Sequence, residues 1–238
     1  MSILPTTKSK PKSEMSDFNW IVYGPPKIGK TTLATHFPGA LFLATEDGQG
    51  AHGCYRVPVN SWADFMNACK ELAAGKHEFK TIIVDTIDNL WDLCSAYVCA
   101  KRGIEHESEL EYGKGFQLVQ TEFFRALTRL SMLPYGLVLI SHSVDVEIET
   151  RTKKYTKSVP SFKRKQQSRL LGMADFILYC DFASVKGSDG ETTYARVIRT
   201  KAAEAYTAGD RTGNMPDPLP LSFDKLSAAF TAAIKGGK

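Results

Sequence analysis

A glycine, four residues, then Gly-Lys-Thr: the stretch "VYGPPKIGKTTL" sets Gly24, Pro25, Pro26, Lys27, Ile28, Gly29, Lys30, Thr31 and Thr32 directly after an apolar run. At this G-x-x-x-x-G-K-[ST] spacing the backbone N–H groups can curl around phosphates. Gly24 and Gly29 free the chain to curl. Lys30 offers its ammonium to the β- and γ-phosphates, and Thr31 puts a hydroxyl on Mg²⁺. The ligands implied are ATP and Mg²⁺.

Two carboxylates complete the chemistry. Asp85 ends the apolar run "TIIVD" and is a Walker B candidate that would hold Mg²⁺ through water beside Thr31. Glu46 and Asp47 close "FLATED", at the edge where ligand-facing residues sit in open α/β sheets. Glu46 is the candidate general base for the attacking water. The plain alternative is a solvated carboxylate at the start of a loop. Asp85 is followed by Thr86 rather than Glu, which argues against the AAA+ arrangement. Pro25 stands where partition-type ATPases carry their signature lysine, which disfavours that class too.

These residues need strands and helices to hold them. "FNWIVYG" reads as a buried strand, "KTTLATHF" as a helix and "ALFLATE" as a strand. "SWADFMNACKELAAG" is an amphipathic helix capped by Ser61, and "KTIIVDT" a further strand. Helices over Ile87 to Arg102 and Gly115 to Leu133 precede the strand "YGLVLISHS". The alternation predicts an α/β fold with a mainly parallel sheet covered on both faces. "ADFILYCDFAS" and "TTYARVIRTK", separated by the turn "VKGSDGE", predict an antiparallel extension. A loop rich in Gly and Pro and the helix "DKLSAAFTAAIK" follow. Residues 1–17 are polar and aperiodic, so they are expected to be a flexible arm before a single domain over 18–238.

Composition narrows the function. The 238 residues are 43% hydrophobic and contain no run long enough to span a membrane, nor an apolar segment near the start to act as a secretory signal. A cytoplasmic protein is expected. Five cysteines without a C-x-x-C pair read as reduced packing thiols. Net charge is only +4, but "RTKKYTKSVPSFKRKQQSR" holds eight Lys or Arg and no acid, a basic stripe on an acidic body. Arg151, Lys153, Lys154, Lys157, Lys163, Arg164 and Lys165, with Tyr155 and Phe162 among them, suit a single nucleic-acid strand: cations track phosphates and rings stack bases. The alternative is a solvated charged hairpin.

On "GPPKIGKTT", "FLATEDG", "TIIVDT" and "LVLISHS", in that order between Phe18 and Phe230, the chain resembles the RecA-like P-loop ATPases, and among them the phage-encoded single-strand annealing proteins built on a RecA core. The resemblance implies that "FLATEDG" carries the catalytic glutamate and that "LVLISHS" ends in a phosphate-sensing residue. That residue is His142, where RecA itself has glutamine. It further implies a mobile DNA-lining loop after the sensor strand, which here is the basic stripe. Arg199, Lys201 and Arg211 would be cations that reach a neighbouring subunit's nucleotide. The implied activity is DNA-stimulated ATP hydrolysis, and the implied partners are single-stranded DNA, further copies in a ring or filament, and a single-strand DNA-binding protein. A P-loop kinase and a nucleotide-dependent assembly module with little turnover are the alternatives.

Overall fold

The computed structural model describes residues 4, 6–8, 10–48, 50, 53–162, 164–186 and 192–236, with the backbone alone at 164, 165, 185 and 186. Its first half comprises β1 Asn19–Gly24, α1 Lys30–Thr35, β2 Ala40–Ala44, β3 Tyr55–Pro58, α2 Trp62–Ala74, β4 Thr81–Asp85 and α3 Ile87–Arg102. Then come α4 Lys114–Ser131, β5 Gly136–Glu149, β6 Lys154–Pro160, α5 Arg164–Met173 and β7 Phe176–Lys186. The chain closes with β8 Thr192–Arg199, β9 Gly209–Asp210, β10 Leu219–Pro220 and α6 Phe223–Gly236.

Strands β3-β2-β4-β5-β1-β7 form a parallel run in that spatial order. On the β7 side, β8 and then β10 add antiparallel. The expected architecture is therefore observed: an α/β P-loop fold, a mainly parallel sheet flanked by helices, and an antiparallel C-terminal extension. Burial on both faces explains the apolar strands. Ile21 and Tyr23 of β1 face a cluster with Trp62, Phe65, Trp91 and Phe123 of α2, α3 and α4. Their neighbours Trp20 and Val22 point the other way, onto Leu33 of α1 and Leu226 and Phe230 of α6. The N-cap expected at Ser61 is made: its Oγ accepts the Asp64 N–H at 3.2 Å. Gly75 then ends α2 in the left-handed region, at φ 68°.

Three expectations need correction or fall outside the described residues, and one strand was not expected. The arm does not extend to residue 17, because Met15 is only 5% exposed, lies in the core with Phe18, and accepts the Trp20 indole N–H on its carbonyl at 2.9 Å. Strand β3 went unforeseen; it is four residues long and carries Pro58, which a sheet edge tolerates. The segment after "LVLISHS", expected to be a loop, is not one. β5 runs on to Glu149 and pairs with β6 as a two-stranded ribbon, from Ser143↔Pro160 to Glu149↔Lys154. The turn expected within "VKGSDGE" lies largely outside the described residues. Among the described residues no helix is long and apolar enough to cross a membrane.

Candidate active site

β1 delivers the glycine-rich loop to the carboxyl edge of the sheet, between β5 and β7. At Gly24 a Cβ would lie 2.4 Å from the Cys180 carbonyl of β7, so only glycine fits. Gly29 precedes α1 at φ 117°, a conformation that L side chains avoid. Lys30 is 6% exposed, and its Nζ donates to the Gly24 and Pro25 carbonyls, both at 2.9 Å. Burial drives its pKa below the ordinary lysine range, against the pull of Cys180, Asp85, Glu46 and Asp88. The ammonium is thus out of water and held by neutral carbonyls, an arrangement that an incoming polyanion relieves.

The two residues expected to face a metal are in contact. Thr31 Oγ1 donates to Asp85 Oδ2 at 2.9 Å, joining the loop to the end of β4. A hydroxyl beside a carboxylate is the hard-oxygen donor set that Mg²⁺ takes when phosphates and waters fill its remaining positions. Among the described residues no cluster of three or more His, Cys, Asp or Glu forms a self-sufficient metal cage. The pair's two hard oxygen donors fit a metal that arrives with a phosphate ligand.

Glu46 faces this pair because β2 and β4 are neighbours. Thr45 Oγ1 donates to the Thr86 carbonyl at 3.0 Å and accepts the Thr86 N–H at 2.8 Å, pinning the two strand ends together. Glu46 Oε1 then accepts from Thr86 Oγ1 at 2.8 Å and from Asn89 Nδ2 at 3.1 Å. His142, in register with Gly24 across β5 and β1, brings its Nε2 to 3.6 Å from the same oxygen. Its Nδ1 is buried with no hydrogen-bond partner among the described residues. Lys30, Thr31, Asp85, Glu46 and His142, chosen from widely spaced segments, thus converge.

The structure also brings in residues that the sequence reading missed. Thr86 and Asn89 orient Glu46, and the polar spacing in "DTIDN" after a strand was their only signal. Arg196 of β8 donates to the Ile28 carbonyl at 3.3 Å and lines a cavity of about 270 Å³ with Gly29, Thr32, His36, Leu221 and Phe223. A larger cavity of about 660 Å³ lies between β3 and α2, lined by residues such as Tyr55, Leu72 and Phe79 and by none of the loop residues.

Other candidates are dispersed. Arg199 pairs with Asp181 at 3.4 Å and lies over the Tyr206 ring, while Arg211 pairs with Asp175 at 2.5 Å. Both are engaged within their own chain, whereas Lys201 is exposed. On the ribbon, Lys153 pairs with Glu204, and Lys154 lies 3.6 Å from Glu147 and 4.0 Å from Glu149. Arg151 is exposed and Lys157 half-buried. Tyr155 is half-buried beneath the Lys153 ammonium, 5.5 Å from its ring centre. Phe162 is no stacking platform: it is 2% exposed and packs on Trp91 and Phe123. Lys163 and the side chains of Arg164 and Lys165 lie outside the described residues.

Comparison with known proteins gives three findings. A family model described as an AAA domain matches residues 17–212. The SPbeta prophage-derived uncharacterized protein YorG of Bacillus subtilis (strain 168) is 27% identical over 225 residues, covering 90% of this chain and 66% of its own length. A solved prototypical ATPase from the type III secretion system of pathogenic bacteria is 9% identical, with a TM-score of 0.43 over 70% of this chain and 52% of its own.

Proposed function

The chain belongs to the AAA domain family, and from that premise we propose that it is a Mg²⁺-dependent ATPase whose turnover responds to single-stranded DNA and to assembly with further copies of itself. Thr86 after Asp85 therefore does not set the chain outside the AAA class. The carboxylate missing from that position in sequence stands beside it in space, as Glu46 hydrogen-bonded to Thr86.

One observation carries the ATPase reading: Glu46 is fixed at one carboxylate oxygen beside the Thr31–Asp85 pair and the buried Lys30. Lys30 and the loop amides bind the phosphates. Thr31 and Asp85 would hold Mg²⁺, which when bound neutralises phosphate charge. Among the described residues both side-chain hydrogen bonds to Glu46 fall on Oε1, and Oε2 would accept a proton from the attacking water as its oxygen bonds to the γ-phosphorus and the bond to the β–γ bridging oxygen breaks. The cavity beside Gly29 adjoins the phosphate loop and suits the nucleoside.

The DNA component rests on the tip and one face of the ribbon, where Arg151, Lys153, Tyr155 and Lys157 stand, and the task it assigns is strand annealing in recombination. The relative's prophage origin fits a phage-borne chain. With Arg199 and Arg211 paired at home, Lys201 is the cation left to act on a neighbouring copy. A kinase would need an arginine-rich lid, for which those paired arginines are poorly suited.

The test is nucleotide binding and turnover by Glu46→Gln and its parent, with and without single-stranded DNA. The variant should bind ATP as the parent does and lose about a hundredfold or more in turnover, because an amide cannot take the water's proton. DNA should stimulate the parent. Parent-like turnover in Glu46→Gln would remove Glu46 as the base, and a phosphorylated acceptor molecule among the products would favour the kinase.

A further inference from the structure

His142 is held by both of its backbone groups. Its N–H donates to Asp88 Oδ2 at 3.2 Å, and its carbonyl accepts the Ser161 N–H at 2.8 Å. Ser161 closes the triangle by donating its hydroxyl to Asp88 Oδ1 at 2.9 Å, and Ser141 donates to that oxygen at 3.1 Å. Asp88 thus spends both oxygens on the end of β5 and the return of β6. It carries a cost, since burial pushes its pKa up and the three hydrogen bonds hold it down only in part. A half-buried carboxylate whose two oxygens take hydrogen bonds from β5 and from the return of β6 is placed to do more than pack.

Its location supplies one. Thr86 and Asn89, which grip Glu46, flank Asp88 at the start of α3, so a single helical turn holds Glu46 on one side and the His142 backbone on the other. The ribbon leaves the sheet at Ser143 and returns at Pro160, immediately beyond these contacts. We propose that Asp88 is a positioning residue for hydrolysis, fixing the His142 imidazole against Glu46 and joining the base of the β5–β6 ribbon to the same hydrogen-bonded unit. Whatever displaces the ribbon acts on His142 through Asp88 and Ser161. The proposal rests on the reading of Glu46 as the base.

The experiment measures steady-state ATP hydrolysis and equilibrium nucleotide binding on Asp88→Asn, Ser161→Ala and His142→Ala, and on the first two combined with the third. Asp88→Asn should lower kcat about tenfold, the scale of one hydrogen bond to a charged group, and leave nucleotide affinity within about twofold. With His142→Ala already present it should cost less than about twofold more, because the group it positions is gone. Ser161→Ala keeps the carboxylate and should show a smaller loss, about threefold, with the same dependence on His142. The same loss in both His142 backgrounds would overturn the proposal, as would a fall in affinity matching the fall in kcat. If Asp88→Asn does not fold, Ser161→Ala decides, and parent-like kcat there overturns the proposal. An active Glu46→Gln overturns the base assignment and this inference together. An inactive one combined with additive losses overturns this inference alone.

Discussion

The loop lysine and the ribbon lysines are the same side chain in opposite circumstances. Lys30 is buried and bonded to two neutral carbonyls, whereas Lys153 and Lys154 are exposed and paired with Glu204, Glu147 and Glu149. A desolvated cation without a contacting carboxylate gains from every phosphate oxygen that reaches it. An exposed cation that already has carboxylates gains little, since forming the new pair breaks the old one and water screens both. Local cation density thus overstates what the ribbon offers to nucleic acid. The stripe from Arg151 to Arg169 contains no acid, yet β5 sets Asp145, Glu147 and Glu149 directly across from Ser158, Thr156 and Lys154. The opposite face pairs Val144 with Val159, Val146 with Lys157 and Ile148 with Tyr155. One face of the ribbon is acidic and the other largely apolar, leaving the tip as its basic part.

The sharpest way to break the contrast is Lys30→Met. Triphosphate affinity should fall about a hundredfold or more, the cost of truncating a buried, hydrogen-bonded charge partner, as read by equilibrium binding. Affinity within threefold of the parent would show that the buried ammonium is not the phosphate anchor.

A smaller effect is expected on the ribbon. Replacing Glu147 and Glu149 together by Gln frees Lys154, so affinity for single-stranded DNA should rise severalfold at low salt. The slope of log affinity against log salt should steepen by about 0.7, the value of one phosphate contact. Unchanged affinity and slope would mean that DNA does not lie along the ribbon.

The smallest effect is on stability. Burial lowers the pKa of Lys30 in the fold, so between that depressed value and the ordinary lysine range the unfolded chain binds the extra proton. Stability of the free protein should therefore rise with pH through that window, and the full penalty of the buried charge is present below it. Lys30→Met removes the penalty: Tm at neutral pH should rise by several degrees, and the alkaline rise should flatten. Thermal unfolding of both proteins across pH checks the sign. A less stable variant would mean that the lysine stem's packing outweighs the charge.

How far the sequence could be read depended on the range of the interaction. The six-residue β1 and the loop after it were legible because apolar runs, a glycine pair and a lysine at fixed spacing obey steric rules acting over a few residues. The ribbon was legible in part and overlooked: "VDVEIE" alternates at the strand period, yet the polar "SHS" before it read as a strand end. Strand β3 offered almost no signal, being four residues long, edge-placed and mostly exposed. Phe162 looked like a stacking ring because it sits among cations, but its neighbours in sequence say nothing about Trp91 and Phe123, which bury it.

The sequence by itself determined that a strand, a phosphate loop and a helix follow one another, that Asp85 and Glu46 end strands, and that those strands belong to a covered sheet. Such features come from backbone sterics and from the alternation of apolar side chains, and both are local. Only the tertiary structure decided which strands are neighbours. That set Glu46 against Thr86 at a separation of 40 residues, and Asp88 against Ser161 at 73. It also set acids of the adjoining strand β5 against Lys154 of the stripe. Contacts of this kind are fixed by how helices and sheet pack over the whole core, where side chains with no local relation are brought together because burying apolar surface outweighs the entropy of closing the chain between them.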